Sequence, residues 1–188
     1  MEDEILIQKV RAGDQAAYTE IVRKYQARLL QLCISMLHDE KEAEDAAQEV
    51  FVKAFYALNR FQGKSSFYTW LYRIGANHCM DLARKKSRKR AMSWDQLVEE
   101  KGDQIERLFA KSPQTAQSAQ DHELVHQVLA LLPPDYCLIL TLREIQGLSY
   151  EEMTEVLHCS LAAVKSRLKR AREDFKQKLR HFLKTDNV

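Results

Sequence analysis

The chain has 188 residues, of which 45% are hydrophobic, and its 29 lysines and arginines nearly balance 27 aspartates and glutamates. A chain of this length holds one large or two small domains, and only five glycines and three prolines interrupt it, which favours helices. The acidic N-terminus and the lack of a long apolar run predict neither a secretory signal nor membrane insertion.

Charge is distributed unevenly along the chain. Residues 84–90 carry six bases and no acid, and residues 160–184 carry nine bases and two acids. Residues 39–49 carry six acids and one base, and residues 95–123 carry seven acids and three bases. Two basic blocks separated by an acidic stretch indicate contact with a polyanion at two places, although a single block would also suit a solvated helix face.

The first ninety residues show a helical pattern, since apolar side chains recur at steps of three and four. We predict helices over residues 3–12, 16–37 and 39–58 and from 66 to 84 or beyond, which together form a small bundle. Asp14 is a plausible cap of the second helix, and Asp39 with Glu42 has the spacing of a capping box for the third. Phe51 and Phe55 fall on the predicted inner side of that third helix.

The stretch FQGKSSFYTWLYRIGANHCMDLARKKSRKR, residues 61–90, sets aromatic rings beside a dense basic run. A basic run binds phosphates without sequence preference, and aromatic rings accept unpaired bases by stacking. The combination, next to a loop that contains glycine, predicts a site that holds DNA strands apart. The alternative is that Phe67, Trp70, Leu71 and Ile74 are core residues, which leaves Tyr68 and the loop 62–66 as the better functional candidates.

Residues 93–120 lose the helical periodicity and contain Gly102 and Pro113. We interpret them as a linker with one short helix near residues 103–109, between a first domain over residues 1–92 and a second over residues 121–188.

Helical periodicity resumes in the second domain, where we predict helices over residues 124–132, 135–146, 149–157 and 160–183. Ser149 and Glu152 have capping-box spacing, and Ser160 follows a tight turn and can cap the next helix. A short helix, a tight turn and a longer basic helix form the helix-turn-helix pattern, whose second helix fits a major groove. The alternative is an ordinary helical hairpin with a basic outer face. We predict a DNA-facing set of Lys165, Ser166, Lys169 and Arg170, with Arg167 and Arg172 on phosphate or solvent.

No pattern in the sequence indicates a catalytic residue, a cofactor site or a phosphate-binding loop, so we do not expect an enzyme. Four cysteines lie far apart without a CxxC pair and are interpreted as buried thiols in a reducing cytoplasm. His122 and His126 have the spacing of a shared metal site, but no Glu or Cys companion lies nearby, so no metal is expected.

Four stretches taken in order resemble a known family: GDQAAYTEIVRKY, EAEDAAQEVFVKAF, FQGKSSFYTWLYRIGAN and GLSYEEMTEVLHCSLAAVKSRLKRAR. They are similar to the bacterial RNA polymerase sigma factors of the extracytoplasmic-function group, of the sigma-E-like type. The resemblance implies an all-α fold of two small helical domains, sigma-2 and sigma-4, joined by a flexible linker. It implies a cytoplasmic, promoter-specificity subunit without catalytic activity, which binds core RNA polymerase and promoter DNA and is commonly held inactive by an anti-sigma factor.

The resemblance also implies three sets of contact residues. The set that would dock on the β′ clamp helices of the polymerase is Asp45, Gln48, Glu49, Phe51 and Lys53. The set that would bind and help to melt the −10 element is Phe61, Gln62, Gly63, Lys64, Ser65, Ser66, Phe67, Tyr68, Trp70, Arg73, Asn77, Asp81 and Arg84. The set that would read the −35 element is Ser160, Ala162, Ala163, Lys165, Ser166, Arg167, Lys169, Arg170 and Arg172. The sigma-4 domain would also meet the polymerase β flap.

Two other functions are compatible with parts of the pattern. A stand-alone helix-turn-helix transcription regulator would bind its operator tightly without polymerase. A nuclease would need clustered carboxylates near the basic faces, and the acidic cluster at residues 39–49 lacks an obvious metal triad. Lys64, Ser160 and Lys169 depart from what sigma-E-like chains commonly carry, which leaves the exact promoter sequence open.

Overall fold

A computed structural model describes residues 2–97 and 117–185 of the chain, with the side chains of residues 2–88 and 124–180. Every secondary-structure element within these ranges is helical, which confirms the predicted all-α fold. Within the same ranges, no helix has both the length and the apolar character needed to cross a membrane.

The elements follow one another with short connections. They are α1 (Glu2–Arg11), α2 (Gln15–Leu37), α3 (Glu40–Ala57), a 3-10 turn (Leu58–Arg60), α4 (Phe67–Leu97), α5 (Gln117–Ala130), α6 (Pro134–Leu140), a π-helical turn (Thr141–Ile145), α7 (Tyr150–Leu157) and α8 (Leu161–Thr185).

Three elements differ from the sequence prediction. Helix α4 continues beyond Arg84, as the prediction allowed, but it reaches Leu97, inside the stretch predicted as linker, because the lysines and arginines of the basic run are good helix formers. Helix α5 begins at Gln117, inside the stretch predicted as linker, and the short helix predicted at residues 103–109 lies outside the described residues. The helix predicted over residues 135–146 is divided, because the Gln146 N–H donates to the Thr141 carbonyl at 2.9 Å and so closes a wider, π-helical turn.

Asp14 and Asp39 cap their helices as predicted, but the capping box predicted for Asp39 and Glu42 is only half formed, because the Glu42 carboxylate lies 2.8 Å from the Lys86 ammonium. The Asp14 carboxylate accepts hydrogen bonds from the N–H groups of Ala16 and Ala17, and the Asp39 carboxylate accepts one from Glu42 at 2.8 Å. Each cap satisfies backbone donors that lack a partner at the start of a helix, so these residues fix where α2 and α3 begin.

The core of the first domain depends on a close approach of α2 and α4 at Gly75. A Cβ atom placed on Gly75 would lie 2.8 Å from Leu29 Cδ1 and 3.3 Å from Leu32 Cδ2, and both leucines are fully buried. One turn further along α4, the Cys79 thiol lies 3.4 Å from the Cys33 sulfur of α2. The absence of a side chain at Gly75 therefore sets the distance between the two longest helices of this domain.

The second domain packs its own helices around a small apolar core and also contacts the first domain. Its core includes Leu142, Met153 and Leu168, all of which are at most 1% exposed. Helix α4 contacts α6 and α7, and α2 contacts α5, α6 and the π-helical turn. The two domains therefore share one continuous apolar core in this structure.

We predict that Gly75→Ala destabilises the protein by about 1 kcal/mol, because the overpacking against Leu29 and Leu32 outweighs a gain in helix propensity of roughly 1 kcal/mol. For a chain of this size, thermal unfolding followed by circular dichroism should show a midpoint that is lower by about 2–4 °C. The matched control is Leu29→Val, which shortens the crowded side chain. It should cost less in the Gly75→Ala background than in the wild-type chain. A higher midpoint for Gly75→Ala, as propensity alone would give, would contradict the packing argument.

Candidate nucleic-acid and polymerase interfaces

Three of the rings proposed from sequence lie in the core of the first domain. Phe61, Phe67 and Trp70 are 9%, 3% and 7% exposed, and their ring centroids lie 5.2–5.7 Å from one another. Such a cluster stabilises the base of the loop through burial and edge-to-face contact. In this conformation the three rings do not offer a free stacking surface, as the core interpretation of Phe67 and Trp70 predicts.

The loop between these rings is the exposed part of the same region. Gln62, Gly63 and Lys64 are exposed, and Gly63 has φ +68°, a conformation that favours glycine. Ser66 has a structural role, because its hydroxyl accepts a hydrogen bond from the Thr69 N–H at 3.0 Å and caps α4. Ser65 is half-buried beside it. The loop is therefore held at its end by a capped helix while its tip faces solvent.

Tyr68 is half-buried and lies at the centre of a small aromatic face formed by α2 and α4. Its ring centroid lies 4.2 Å from that of Tyr72 and 6.1 Å from that of Tyr25. The Arg28 guanidinium lies 5.5 Å from the Tyr68 ring, which is cation–π distance. We call Arg28, Tyr68 and Tyr72 the tyrosine face, since these side chains place ring surface and positive charge together.

The remaining candidate residues of α4 lie beyond the tyrosine face toward the basic run. Arg73 is half-buried, while Asn77, Asp81 and Arg84 are exposed. The steps of four and three between them place these side chains along one side of the helix. An Arg84 guanidinium nitrogen lies 3.3 Å from an Asp135 carboxylate oxygen of the second domain, so this cation already has a partner in the chain.

The acidic helix α3 presents four of its five candidate residues to solvent. Asp45, Gln48, Glu49 and Lys53 are exposed, whereas Phe51 is 8% exposed and packs in the core. The prediction that Phe55 lies on the inner side of the helix is wrong, because its side chain is 40% exposed.

Sequence reasoning missed an apolar patch at the end of α3. It consists of Val52, Phe55 and Tyr56, with exposed fractions of 53%, 40% and 78%. Val52 and Tyr56 are four residues apart, a spacing that could have indicated a second apolar stripe. Apolar side chains beside exposed acids are typical of a protein-docking surface.

Glu49 is held by two neighbours, Lys53 of the same helix and His78 of α4. The Lys53 ammonium lies 3.2 Å from one Glu49 carboxylate oxygen and 2.7 Å from His78 Nδ1. His78 Nε2 lies 3.2 Å from the other oxygen, at ion-pair distance but without hydrogen-bond geometry. Hydrogen bonding from Lys53 and the charge of His78 lower the pKa of Glu49, while burial and the Lys53 charge lower the pKa of His78.

The second domain contains the predicted helix-turn-helix in α7 and α8. Ser149 and Glu152 form a complete capping box at the start of α7, and the Ser160 hydroxyl accepts a hydrogen bond from the Ala163 N–H at 3.3 Å. Between the helices, His158 adopts a left-handed conformation with φ +48°. These contacts fix the short turn that positions the second helix of the motif.

Helix α8 separates an apolar side from a basic side. Val164, Leu168 and Ala171 are buried against the domain. The predicted DNA-facing set, Lys165, Ser166, Lys169 and Arg170, is exposed together with Ala162, while Ala163 and Arg167 are half-buried. The Ser166 hydroxyl accepts a hydrogen bond from the Arg170 guanidinium at 3.0 Å, which pre-orients that cation on the outer face.

Two cations of α8 have partners inside the second domain. Arg172 pairs with Glu144, at 2.6 and 3.0 Å from one carboxylate oxygen, so its guanidinium is held beside the π-helical turn. The Lys165 ammonium lies 5.8 Å from the Tyr150 ring, which the Arg143 guanidinium approaches at 4.9 Å. Arg172 therefore has an ion-pair partner in this conformation, and both Arg172 and Lys165 remain exposed.

A groove of about 480 Å³ lies between α5, the π-helical turn and α8. Its walls are mainly apolar, with a charged rim formed by the pair of Glu144 and Arg172. The apolar lining consists of Val125, Leu129, Leu140, Ile145 and Phe175. A groove of this shape fits the apolar side of a partner helix.

The cysteines carry no indication of a metal or catalytic site. Cys33, Cys79 and Cys137 are buried free thiols, as predicted, and Cys159 is half-buried. Burial raises the pKa of Cys137 to about 12, and hydrogen bonding with Cys33 together with burial raises the pKa of Cys79, which disfavours a reactive thiolate. Among the residues that the structure describes, no three His, Cys, Asp or Glu side chains are grouped as metal ligands.

Family models match both halves of the chain. The model for sigma-70 region 2 matches residues 21–89, which include α3, the loop and the tyrosine face. The model for sigma-70 region 4 matches residues 122–175, which include the helix-turn-helix.

Curated relatives extend over nearly the whole chain. The chain is 39% identical to the RNA polymerase sigma-H factor of Pseudomonas aeruginosa, covering 97% of this chain and 96% of that protein. It is 33% identical to the ECF RNA polymerase sigma-E factor of Escherichia coli, with the same coverage of 97% and 96%.

Two solved structures are similar over most of the chain. One, described as CnrH in complex with the cytosolic domain of CnrY, has a TM-score of 0.69 and 27% identity, and covers 99% of each chain. The other is the sigma factor RpoE in complex with the anti-sigma factor NepR from Bartonella quintana, with a TM-score of 0.63. At 22% identity over 87% of this chain and 96% of that one, the second likeness concerns the fold alone.

We predict that His78 titrates below its ordinary pKa of 6.5 and that its neutral form stabilises the fold. The folded state disfavours the protonated ring. The contribution of neutral His78 to the free energy of unfolding is therefore fully present above about pH 6.5, and it is lost as the pH falls through the lowered pKa of the folded state. Denaturant unfolding at about pH 7.5 and about pH 5.5 should show a smaller loss for His78→Gln than for the wild-type chain. Lys53→Gln should raise the His78 pKa in an NMR titration. A His78 pKa at or above 6.5 in the wild-type chain would contradict this prediction.

Proposed function

The chain belongs to the sigma-70 family of RNA polymerase sigma factors, in its extracytoplasmic-function group, and on that premise we propose which of its surfaces contact the polymerase and which contact promoter DNA. The first domain docks on core polymerase and receives the opened −10 strand, and the second domain reads the −35 element. The chain performs no covalent chemistry itself, since the polymerase makes the RNA, and it acts in the cytoplasm with that enzyme.

The observation that carries this proposal is the two-sided character of α8. Its apolar side is buried in a capped helix-turn-helix, while Lys165, Lys169 and Arg170 face solvent from the first half of the helix. The N-terminal part of such a helix enters the major groove, where its lysines and arginines contact guanine edges and phosphates. We therefore propose that Ser166, Lys169 and Arg170 face base edges in the −35 element.

For the −10 element we propose a narrower set of contacts than the sequence alone implies. The exposed loop 62–66 receives a base flipped from the non-template strand, and Tyr68 stacks on a neighbouring base. Arg73, Asn77 and Arg84 follow the backbone toward the upstream duplex, and Asp81 lies on the same side. Phe61, Phe67 and Trp70 support the loop from the core because they are nearly fully buried.

For the polymerase we propose two separate docking surfaces. The exposed acids of α3, Asp45 and Glu49, with Gln48 and the apolar patch at Val52 and Tyr56, suit the β′ clamp helices. The groove beside α8 suits a helix of the β flap, because its walls are apolar and its rim is charged. We also propose that an anti-sigma factor binds the chain, in line with the solved complex of the structurally similar sigma factor RpoE with the anti-sigma factor NepR.

Run-off transcription with core polymerase and a library of promoter fragments tests the proposed function directly. Adding the chain should create new start sites. If no start site depends on it and the purified chain instead binds an operator tightly without polymerase, the stand-alone regulator is the correct function.

We predict that Arg170→Ala lowers initiation at these start sites by about 5- to 150-fold, the equivalent of roughly 1–3 kcal/mol for a direct base contact. The matched control is Arg180→Ala, which removes the same charge from an exposed position further along α8. The control should stay close to wild type. Equal losses in the two variants would show a non-specific charge effect and reject the base contact.

We predict that replacing Asp45 and Glu49 together by lysine weakens core-polymerase binding by at least about a hundredfold, because like charges placed opposite each other cost several kcal/mol. Biolayer interferometry with immobilised core polymerase measures the affinity, and circular dichroism checks the fold. The matched control replaces Glu4 and Glu20, two exposed acids of α1 and α2, by lysine. Unchanged affinity of the Asp45 and Glu49 variant would place the docking surface elsewhere.

A further inference from the structure

The second domain lies against the side of the first domain that carries the tyrosine face. Helices α2 and α4 of the first domain contact α5, α6, the π-helical turn and α7 of the second. Tyr72 is fully buried in this arrangement, and Tyr68 is only partly exposed. The part of the proposed single-strand surface that contains Tyr68 is therefore covered within the chain, while the tip of the loop stays exposed.

Gln146, which follows the π-helical turn, makes most of the polar contacts in this interface. Its side-chain oxygen accepts a hydrogen bond from the Tyr72 hydroxyl at 2.5 Å, and its backbone carbonyl accepts one from the Tyr68 hydroxyl at 3.5 Å. Its side-chain nitrogen donates to the Arg28 carbonyl at 3.4 Å and to the Gln31 side-chain oxygen at 3.3 Å. One residue thus engages both helices that form the tyrosine face.

Two further polar contacts, both from α6, cross the same interface. The Cys137 thiol donates to the Ser35 carbonyl at 3.1 Å, and Arg84 pairs with Asp135 at 3.3 Å. The Cys137 contact is buried, whereas the ion pair is exposed and contributes little by itself. Arg84 is one of the cations that we propose for the −10 region, so the second domain contacts both a ring and a cation of that surface.

The second domain's own DNA-facing surface is left free by this packing. Lys165, Lys169 and Arg170 are exposed on α8, and the domain interface is formed by other elements. Packing of the two domains therefore covers Tyr68, which we propose for single-stranded DNA, but leaves the basic side of α8, which we propose for duplex DNA, exposed.

We infer that the second domain competes with single-stranded DNA for the tyrosine face, and that Gln146 is the residue that holds the competing arrangement. This inference rests on the proposed function of Tyr68. Separation of the domains uncovers Tyr68 and releases the Tyr72 hydroxyl from Gln146 and Arg84 from Asp135, so the chain binds a single strand most tightly in its parted form.

The strength of this competition follows from the equilibrium between packed and parted domains. The apparent affinity for a single strand is the intrinsic affinity multiplied by the fraction of parted chains. Each net hydrogen bond shifts such an equilibrium by about two- to tenfold. Because Gln146 makes several of them, its truncation should increase the parted fraction by about tenfold, as long as that fraction is small.

Full-length wild-type chain and Gln146→Ala, with Tyr72→Phe as a milder variant, test the inference. Fluorescence anisotropy with a labelled oligo(dT) strand measures single-strand affinity, the matching duplex measures binding through α8, and small-angle X-ray scattering measures domain separation. We expect Gln146→Ala to have a larger radius of gyration and about tenfold tighter oligo(dT) binding, with duplex affinity unchanged. Tyr72→Phe removes one hydroxyl and keeps the ring, so its radius of gyration and its oligo(dT) affinity should both increase, but by less than in Gln146→Ala.

The matched control is Gln177→Ala, an exposed glutamine of α8 outside the interface, which should behave as wild type. If Gln146→Ala and Tyr72→Phe are folded by circular dichroism but change neither the radius of gyration nor oligo(dT) affinity, Gln146 does not hold the domains together. If the domains part and oligo(dT) affinity stays the same, the tyrosine face is not masked. Both outcomes overturn the inference.

Run-off transcription with core polymerase separates this inference from the proposed function. Tighter oligo(dT) binding by Gln146→Ala, combined with no start site that depends on the wild-type chain, would support the intramolecular competition and reject the proposed function. Start sites that depend on the chain, combined with unchanged oligo(dT) binding in both variants, would support the function and reject the competition.

Discussion

The close contact of α2 with α4 at Gly75 is the constraint on which the rest of the first domain depends. Without a side chain at Gly75, Leu29 and Leu32 fill the space between the helices, and Cys33 reaches Cys79 across the same seam. Helix α4 carries the end of the loop, the tyrosine face and the basic run. The distance between α2 and α4 therefore decides whether Tyr68 meets Tyr25 and Arg28, and a packing contact fixes the geometry of a surface that we propose for DNA.

The charges of the chain are sorted onto surfaces of different chemistry. Exposed acids and apolar side chains share the outer side of α3, whereas exposed cations lie on α4 and on the outer side of α8. A protein partner gains from the apolar patch at Val52 and Tyr56, while DNA gains from phosphate contacts that release counterions. The near-zero total charge is therefore compatible with strong local fields, because opposite charges are kept apart.

Sequence periodicity and capping residues were sufficient to predict the all-α fold and the helix-turn-helix, because both depend on local preferences. They could not place residues whose environment is set by other elements. Core packing was one of two alternatives predicted for Phe67 and Trp70, whereas the burial of Phe61, the exposure of Phe55 and the pairing of Arg172 with Glu144 were not predicted, because they depend on which helix lies opposite. The π-helical turn is a backbone feature without a hydrophobic period of its own, so the position of Gln146 was also beyond prediction.

A polar contact is well suited to an interface that has to part. When the domains separate, the Tyr72 hydroxyl and the Gln146 amide exchange each other for water, so their net contribution is modest although their geometry is specific. An interface of the same size formed only by apolar side chains would transfer more apolar surface to water when the domains part. Polymerase would then have to supply a larger binding energy to separate them. The hydrogen bonds at Gln146 thus favour one packed arrangement and add little to the cost of parting, most of which comes from the apolar core that the two domains share.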